Sequence, residues 1–260
     1  MPAFESFATA AEAFFWLGKH AGCDKECCRP RLEIKRSGPP APELPAELQC
    51  AVAEPDPEPE PEPELPPLER CAFAVLDTET TGLSGMDVVL QCALALFDRE
   101  GRMIQAYDRI WNLPSDVCIT TRAYRVHKIG YKRIRAVGMR TEPQLRIVLK
   151  QLRRLRERKV PIIAHNSAFD VRMLRQTANK HGINDWNIEK RDVYCTMLGA
   201  KPYTNYVSKK TGKPKAPSNT ELYKHLFKRA PEFGPLHDAL VDVKVTAASY
   251  VGGRDRGWWR

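Results

Sequence analysis

Ala72-Phe73-Ala74-Val75-Leu76-Asp77-Thr78-Glu79-Thr80-Thr81-Gly82 is the stretch on which the rest of the chain turns. It reads first as a buried strand, a short run of small and branched apolar residues closed by a Thr/Gly turn signal. Residues two apart on a strand share a face, so Asp77 and Glu79 project together at its end. Adjacent like charges repel, and a divalent cation held between them is one remedy. A strand that simply ends in polar residues is the competing account of this stretch taken alone. Gly82 lets the backbone approach a ligand closely, because it carries no Cβ.

Outward from this strand, charge divides the chain. The 260 residues carry a formal +9, but the first seventy sum to −7 and the remainder to +16. A strongly basic folded portion fits a polyanionic partner such as nucleic acid. Eight cysteines without framework spacing indicate a reducing compartment. No apolar run approaches the roughly 18–20 residues that a membrane span needs. The expectation is a soluble intracellular protein, cytoplasmic or nuclear, with no membrane partner.

Residues 1–36 form an N-terminal segment. Phe4, Phe7, Ala11, Phe14 and Leu17 fall at helical steps, the pattern of a short amphipathic helix that docks a protein partner or packs on the main domain. The segment lacks the charge and apolar layout of a secretory or organellar leader. His20, Cys23, Cys27 and Cys28 lack the second cysteine pair of ordinary zinc modules, so reduced thiols are expected. Residues 37–69 are a Pro/Glu-rich linker that culminates in the alternating run from Glu54 to Glu64. Alternate prolines preclude helix and sheet, and the carboxylates repel one another. The first seventy residues are thus expected to be a disordered extension.

Downstream, 87–97 and Met103–Trp111 read as two more strands, in an antiparallel meander with the opening strand. Short helices are expected across 121–137. A longer helix follows with Leu145, Val148, Leu149, Leu152 and Leu155 inward and an arginine-rich solvated face outward. Val160–Ala164 is another buried strand, running into His165-Asn166-Ser167-Ala168-Phe169-Asp170 and a helix to Lys180. Residues 192–200 read as helical, and 201–218 as a basic loop with interleaved tyrosines, suited to stacking on a single strand or simply solvated. Asn219 or Thr220 is expected to cap the next helix, and the last element spans Asp238–Val251.

Three acidic sites thus stand in order at element ends: Asp77 with Glu79, then Asp170, then His237 with Asp242. Together they resemble the DEDDh group of 3′–5′ exonucleases, which includes proofreading subunits of bacterial replicative polymerases. The matching motifs are Leu76–Leu83, Ala164–Leu174 and Leu236–Val243, the last preceded by Glu221–Phe227. One departure is Lys128 after His127, where relatives often have His-Gly. The resemblance covers Cys71 to Val251 and implies an α/β ribonuclease H-like fold, a mixed central sheet flanked by helices. An exonuclease domain over 70–252 with a 253–260 tail is expected.

The resemblance also implies chemistry. Asp77, Glu79, Asp170 and Asp242 would hold two Mg²⁺, with Mn²⁺ as a substitute, Asp77 bridging the pair. His237, on a loop beside them, would be the general base that takes the proton of the attacking water. Thr80, Thr81, Gly82 and Leu83 would contact the terminal nucleotide, and Asn166 either the strand end or a structural partner. The substrate implied is a single-stranded 3′ end of DNA or RNA, cut to nucleoside 5′-monophosphates. A catalytically idle nucleic-acid-binding or polymerase-associated module is the alternative.

Overall fold

A computed structural model describes residues 68–186 and 188–259. The readings made for the N-terminal helix, the cysteine cluster and nearly all of the Pro/Glu run lie outside the described residues.

Three strands come first: β1 (Phe73–Thr80), β2 (Val89–Phe97) and β3 (Met103–Ile110). They pair antiparallel, β1 with β2 and β2 with β3, as short connections require. All of β2 is buried, the signature of a strand covered on both faces. Two short helices, α1 (Thr121–His127) and α2 (Tyr131–Val137), precede α3 (Thr141–Glu157). Then come β4 (Ile162–Ala164), parallel to β1, and α4 (Ser167–Lys180). The sheet order is β3-β2-β1-β4-β5, with β5 (Val193–Cys195) parallel to β4.

Alternation along β1 sorts the core into two layers. Ala74 and Leu76 join Leu145, Leu152, Met173 and Leu174, which belong to α3 and α4. Phe73 and Val75 join Leu222, Leu226, Val243 and Ala247 on the other side. Those last four belong to α6 (Asn219–Phe227) and α7 (Ala239–Arg254). Continuing the alternation sends Asp77 and Glu79 toward α7 and Thr78 toward α4. A third, smaller core of Leu90, Ile110, Ile119, Ile129, Tyr131 and Ile134 seats α1 and α2.

Several expectations need correction. Residues 192–200 are not one helix: Val193–Cys195 is strand β5, and only α5 (Thr196–Ala200) is helical. The register Ile162↔Val193, Ile163↔Tyr194, Ala164↔Cys195 shows what overrides local pattern, a sheet edge waiting for a partner. The cap of α6 is Ser218, in a reciprocal capping box with Glu221, which leaves Asn219 free for another task. The helix α7 outruns its expected end, and Trp259 is buried on it, so the packed chain continues past residue 252. Gly253 makes that possible, since a Cβ there would lie 2.0 Å from the Trp259 ring. Among the described residues no helix is long and apolar enough to cross a membrane.

Candidate active site

The carboxylates gather where β1 ends. Asp77 and Glu79 share a strand face by parity. Asp170 sits in the first turn of α4 and is 2% exposed. The hydroxyl of Thr78, on the opposite face of β1, donates to Asp170 Oδ1 at 2.9 Å, so one strand fixes all three acids. Asp242 enters from the first turn of α7. His237 is exposed, at a left-handed φ of 64°, and its backbone N–H donates to Asp242 Oδ2 at 3.0 Å. The bend before α7 therefore solves the spacing problem: five helical residues would separate His237 from Asp242, whereas a loop turns it back. Ligand atoms of Glu79, His237 and Asp242 lie within 4.8 Å of one another.

Electrostatics mark the cluster as under strain. Burial first, then repulsion from Asp170, Asp242 and Glu79, holds the Asp77 carboxyl well above its ordinary range. Burial and the Asp242 and Asp170 charges push Glu79 up to about 8. Burial raises Asp170 to about 7, against hydrogen bonds from Thr78 that pull the other way. Asp242 is raised by burial too, with His237 and Asn219 offsetting part of it. Four acids placed together with so little local cation are a donor set of hard oxygens, the kind that suits Mg²⁺ or Mn²⁺.

The turn after β1 is knit internally. Thr80 Oγ1 donates to the Gly82 carbonyl at 2.8 Å, and Thr81 Oγ1 to Asp87 Oδ1 at 2.9 Å. Asp87, buried, also accepts from the Ser84 N–H. Gly82 is required here by a different neighbour than expected, because a Cβ would stand 2.6 Å from the Asp87 carboxylate. What this turn offers a ligand is therefore backbone and the 60%-exposed Leu83, not the threonine hydroxyls. Gly82→Ala should displace the turn and cost about 1–3 kcal/mol of stability, the usual range for overpacking. Denaturant unfolding checks this, and an unchanged midpoint would show that the turn yields.

Asn166 is exposed at φ 73°, and its side chain makes no capping hydrogen bond. The tyrosines of the 201–218 loop are committed elsewhere: Tyr203 stacks on Trp258 at 4.8 Å, and Tyr206 donates to the Glu221 carbonyl. Tyr203 nonetheless keeps 44% of its surface exposed. His165 is likewise structural, its ring between Thr196 Oγ1 and the Pro217 carbonyl.

Three residues support the site in roles that the sequence reading did not assign them. Asn219 Nδ2 reaches the Asp242 carbonyl at 3.2 Å and its Oδ1 at 3.5 Å. Gln91, on β2, holds the start of α7 through the Ala239 N–H and binds Asp108 with its amide. His127, buried, accepts the Ile129 N–H at Nδ1, which leaves the proton on Nε2. Burial presses its pKa down to about 4, and it lies near enough to feel the Thr80 carbonyl and His237. Lys128, beside it, occupies φ 60°, the left-handed position that glycine takes without strain, with its ammonium 5.7 Å over the Tyr124 ring.

A family model, RNase_T, described as Exonuclease, matches residues 74–250. The nuclease domain of 3'hExo, a DEDDh family member bound to rAMP, gives a TM-score of 0.53 at 12% identity, covering 73% of this chain and 94% of that one. Exonuclease I of E. coli in complex with a dA16 oligonucleotide gives 0.51 at 21% identity, covering 71% of this chain and 41% of that one. The exonuclease I of Methylocaldum szegediense gives 0.53 at 20%, covering 72% and 41%. The chain thus spans about two fifths of the exonuclease I chains. These likenesses carry the fold, the ribonuclease H-like arrangement expected from sequence. No curated protein matches the chain in sequence.

Proposed function

This chain belongs to the exonuclease family, and from that premise we propose that it is a metal-dependent 3′–5′ exonuclease of the DEDDh type. It would release nucleoside 5′-monophosphates from the 3′ end of DNA or RNA. The observation that supports this most is the convergence of four carboxylates from three separate elements, each pushed upward in pKa, with His237 beside them. An idle binding module has no need to keep one buried and three half-buried acids in mutual repulsion.

In this reading Asp77, Glu79, Asp170 and Asp242 hold two Mg²⁺, or Mn²⁺. When bound, the ions lower the pKa of the attacking water and stabilise charge on the leaving 3′ oxygen. The chain's own residues do the rest. Asp242 fixes the His237 backbone, so the ring faces the cluster from an exposed loop and takes the water proton. The turn backbone at Thr80, Thr81 and Gly82 and the side chain of Leu83 seat the terminal nucleotide. The uncommitted amide of Asn166 meets the strand beyond it. This chemistry is assigned to residues 70–252, and none of it to the N-terminal segment or the linker.

A 5′-labelled panel of single- and double-stranded DNA and RNA, with Mg²⁺ or with EDTA, tests the reading. Shortening from the 3′ end with monophosphate release is expected, and its loss in EDTA. No metal-dependent shortening of any member would leave the idle module.

Linkage gives a second test. Folding raises these carboxyl pKa values, so their contribution to stability is complete below about pH 4 and is lost as pH climbs through about 7 and about 8, where Asp170 and Glu79 ionise. Bound cations offset that loss, and they bind the ionised form. The difference in Tm between Mg²⁺ and EDTA should therefore widen by roughly a few degrees from about pH 6 to about pH 8.5. A constant difference would mean that these acids do not form the metal cage.

A further inference from the structure

Between Val117 and Thr141 the sequence carries seven Lys/Arg and no Asp or Glu. That run folds into α1, α2 and their flanks, seated on the third core. Its cations differ from those on α3. There Arg146 pairs with Glu142 at 2.9 Å, Arg153 with Asp185 at 3.0 Å and Arg156 with Asp192 at 3.9 Å. On α1 and α2, Arg122, Arg125, Lys132 and Arg135 are exposed and make no ion pair among the described residues. Like charges packed this closely, without counter-charge, repel, and a polyanion relieves them.

Placement joins this surface to the site. The Thr120 N–H, capping α1, donates to the Thr81 carbonyl at 2.8 Å. His127, the last residue of α1, lies by Thr80 and His237. From α2, Arg133 pairs with Asp238 at 3.8 Å, one residue after His237. The two helices therefore brace both the first and the third motif while turning their free cations outward. Val126 and Val137, 44% and 58% exposed, lie among them.

We propose that α1 and α2 form a phosphate-binding wall that tracks the sugar–phosphate backbone of the nucleic acid as it leaves the active site. The occupant is the substrate strand, DNA or RNA alike, because ammonium and guanidinium groups on the surface read phosphate and not sugar. This rests on the nuclease reading above and adds to it which face of the molecule the polymer follows.

The test replaces Arg122, Arg125, Lys132 and Arg135 together by Gln in the full chain. Two substrates are compared across a salt series: an oligonucleotide of about twenty residues, and the p-nitrophenyl ester of thymidine 5′-phosphate, which fills only the active site. For the oligonucleotide, KM should rise at least about tenfold at low salt with kcat held, because contacts remote from the reaction bind substrate and transition state alike. The slope of log kcat/KM against log salt should shrink by roughly 2–3, near 0.7 per lost phosphate contact on a single strand. The small ester should be cut as before. Removing Arg99 and Arg158, which line a cavity at the opposite end of β1, should leave the slope in place. An unchanged slope in the quadruple variant overturns the wall. Equal losses on both substrates overturn it as well, since α1 and α2 would then only support the site. Anisotropy of a labelled oligonucleotide in EDTA is read in parallel. Binding that depends on the four cations in a chain that cuts neither substrate would keep the wall and reject the nuclease reading alone.

Discussion

Asp77→Asn should lower kcat by roughly 10³–10⁴-fold, the several kcal/mol that metal ions supply to a transition state of this kind. The side chain keeps its size, so the loss isolates charge. Asp77 sits at the electrostatic centre, since Asp170, Asp242, Glu79 and Asp238 all press its pKa upward. Removing that charge withdraws an oxygen donor shared by the cluster, and metal affinity should fall together with rate. Stability should move the other way. Without metal the Asp77 carboxylate is half-buried among like charges, so the amide should leave Tm in EDTA unchanged or raised at about pH 8. Calorimetric metal titration beside thermal unfolding checks both halves. A variant with near-native rates would remove Asp77 from the chemistry, and one that unfolds in EDTA would make it a structural acid.

Acids this costly to gather in a fold are also why the candidate site was legible in sequence. Asp77 and Glu79 at strand spacing, Asp170 after a buried strand and His237 before Asp242 are residue types that a folding chain avoids placing together without a ligand. Local pattern also located β1, β2 and α3, because each buries a full face and its period is written in its apolar residues. It failed where partners lie far along the chain. Val193–Cys195 became a strand because β4 offered an edge, and nothing in those three residues announces that. Asn219 resembled a cap by type, yet Ser218 took the cap and freed Asn219 to hold Asp242, a contact across 23 residues. Gly82 was legible as a necessity but not in its cause, since Asp87 fills the space that a ligand was expected to fill. Gln91 could not be read at all: its value lies in meeting Ala239 and Asp108 in space.

His237→Ala separates the two tasks that proximity alone leaves merged. As general base, His237 takes the proton of the attacking water on a ring nitrogen. The alanine variant should lose roughly 10²–10⁴-fold in kcat, the usual share of a positioned base. Metal binding should survive, because the four carboxylates remain, and the fold should too, because the ring is exposed and the backbone N–H that holds Asp242 is retained. The geometry also supplies the rival, since a ring nitrogen of His237 lies within 4.8 Å of ligand oxygens of Glu79 and Asp242. A ligand histidine predicts the opposite pairing: metal lost in calorimetry, and activity recovered at high Mn²⁺. An exogenous base such as imidazole would then restore nothing, whereas it should partly rescue a missing proton acceptor. Rates equal to the parent chain would reject both roles. The left-handed bend at φ 64° would then serve only to deliver the Asp238 cap and the Asp242 carboxylate to the start of α7.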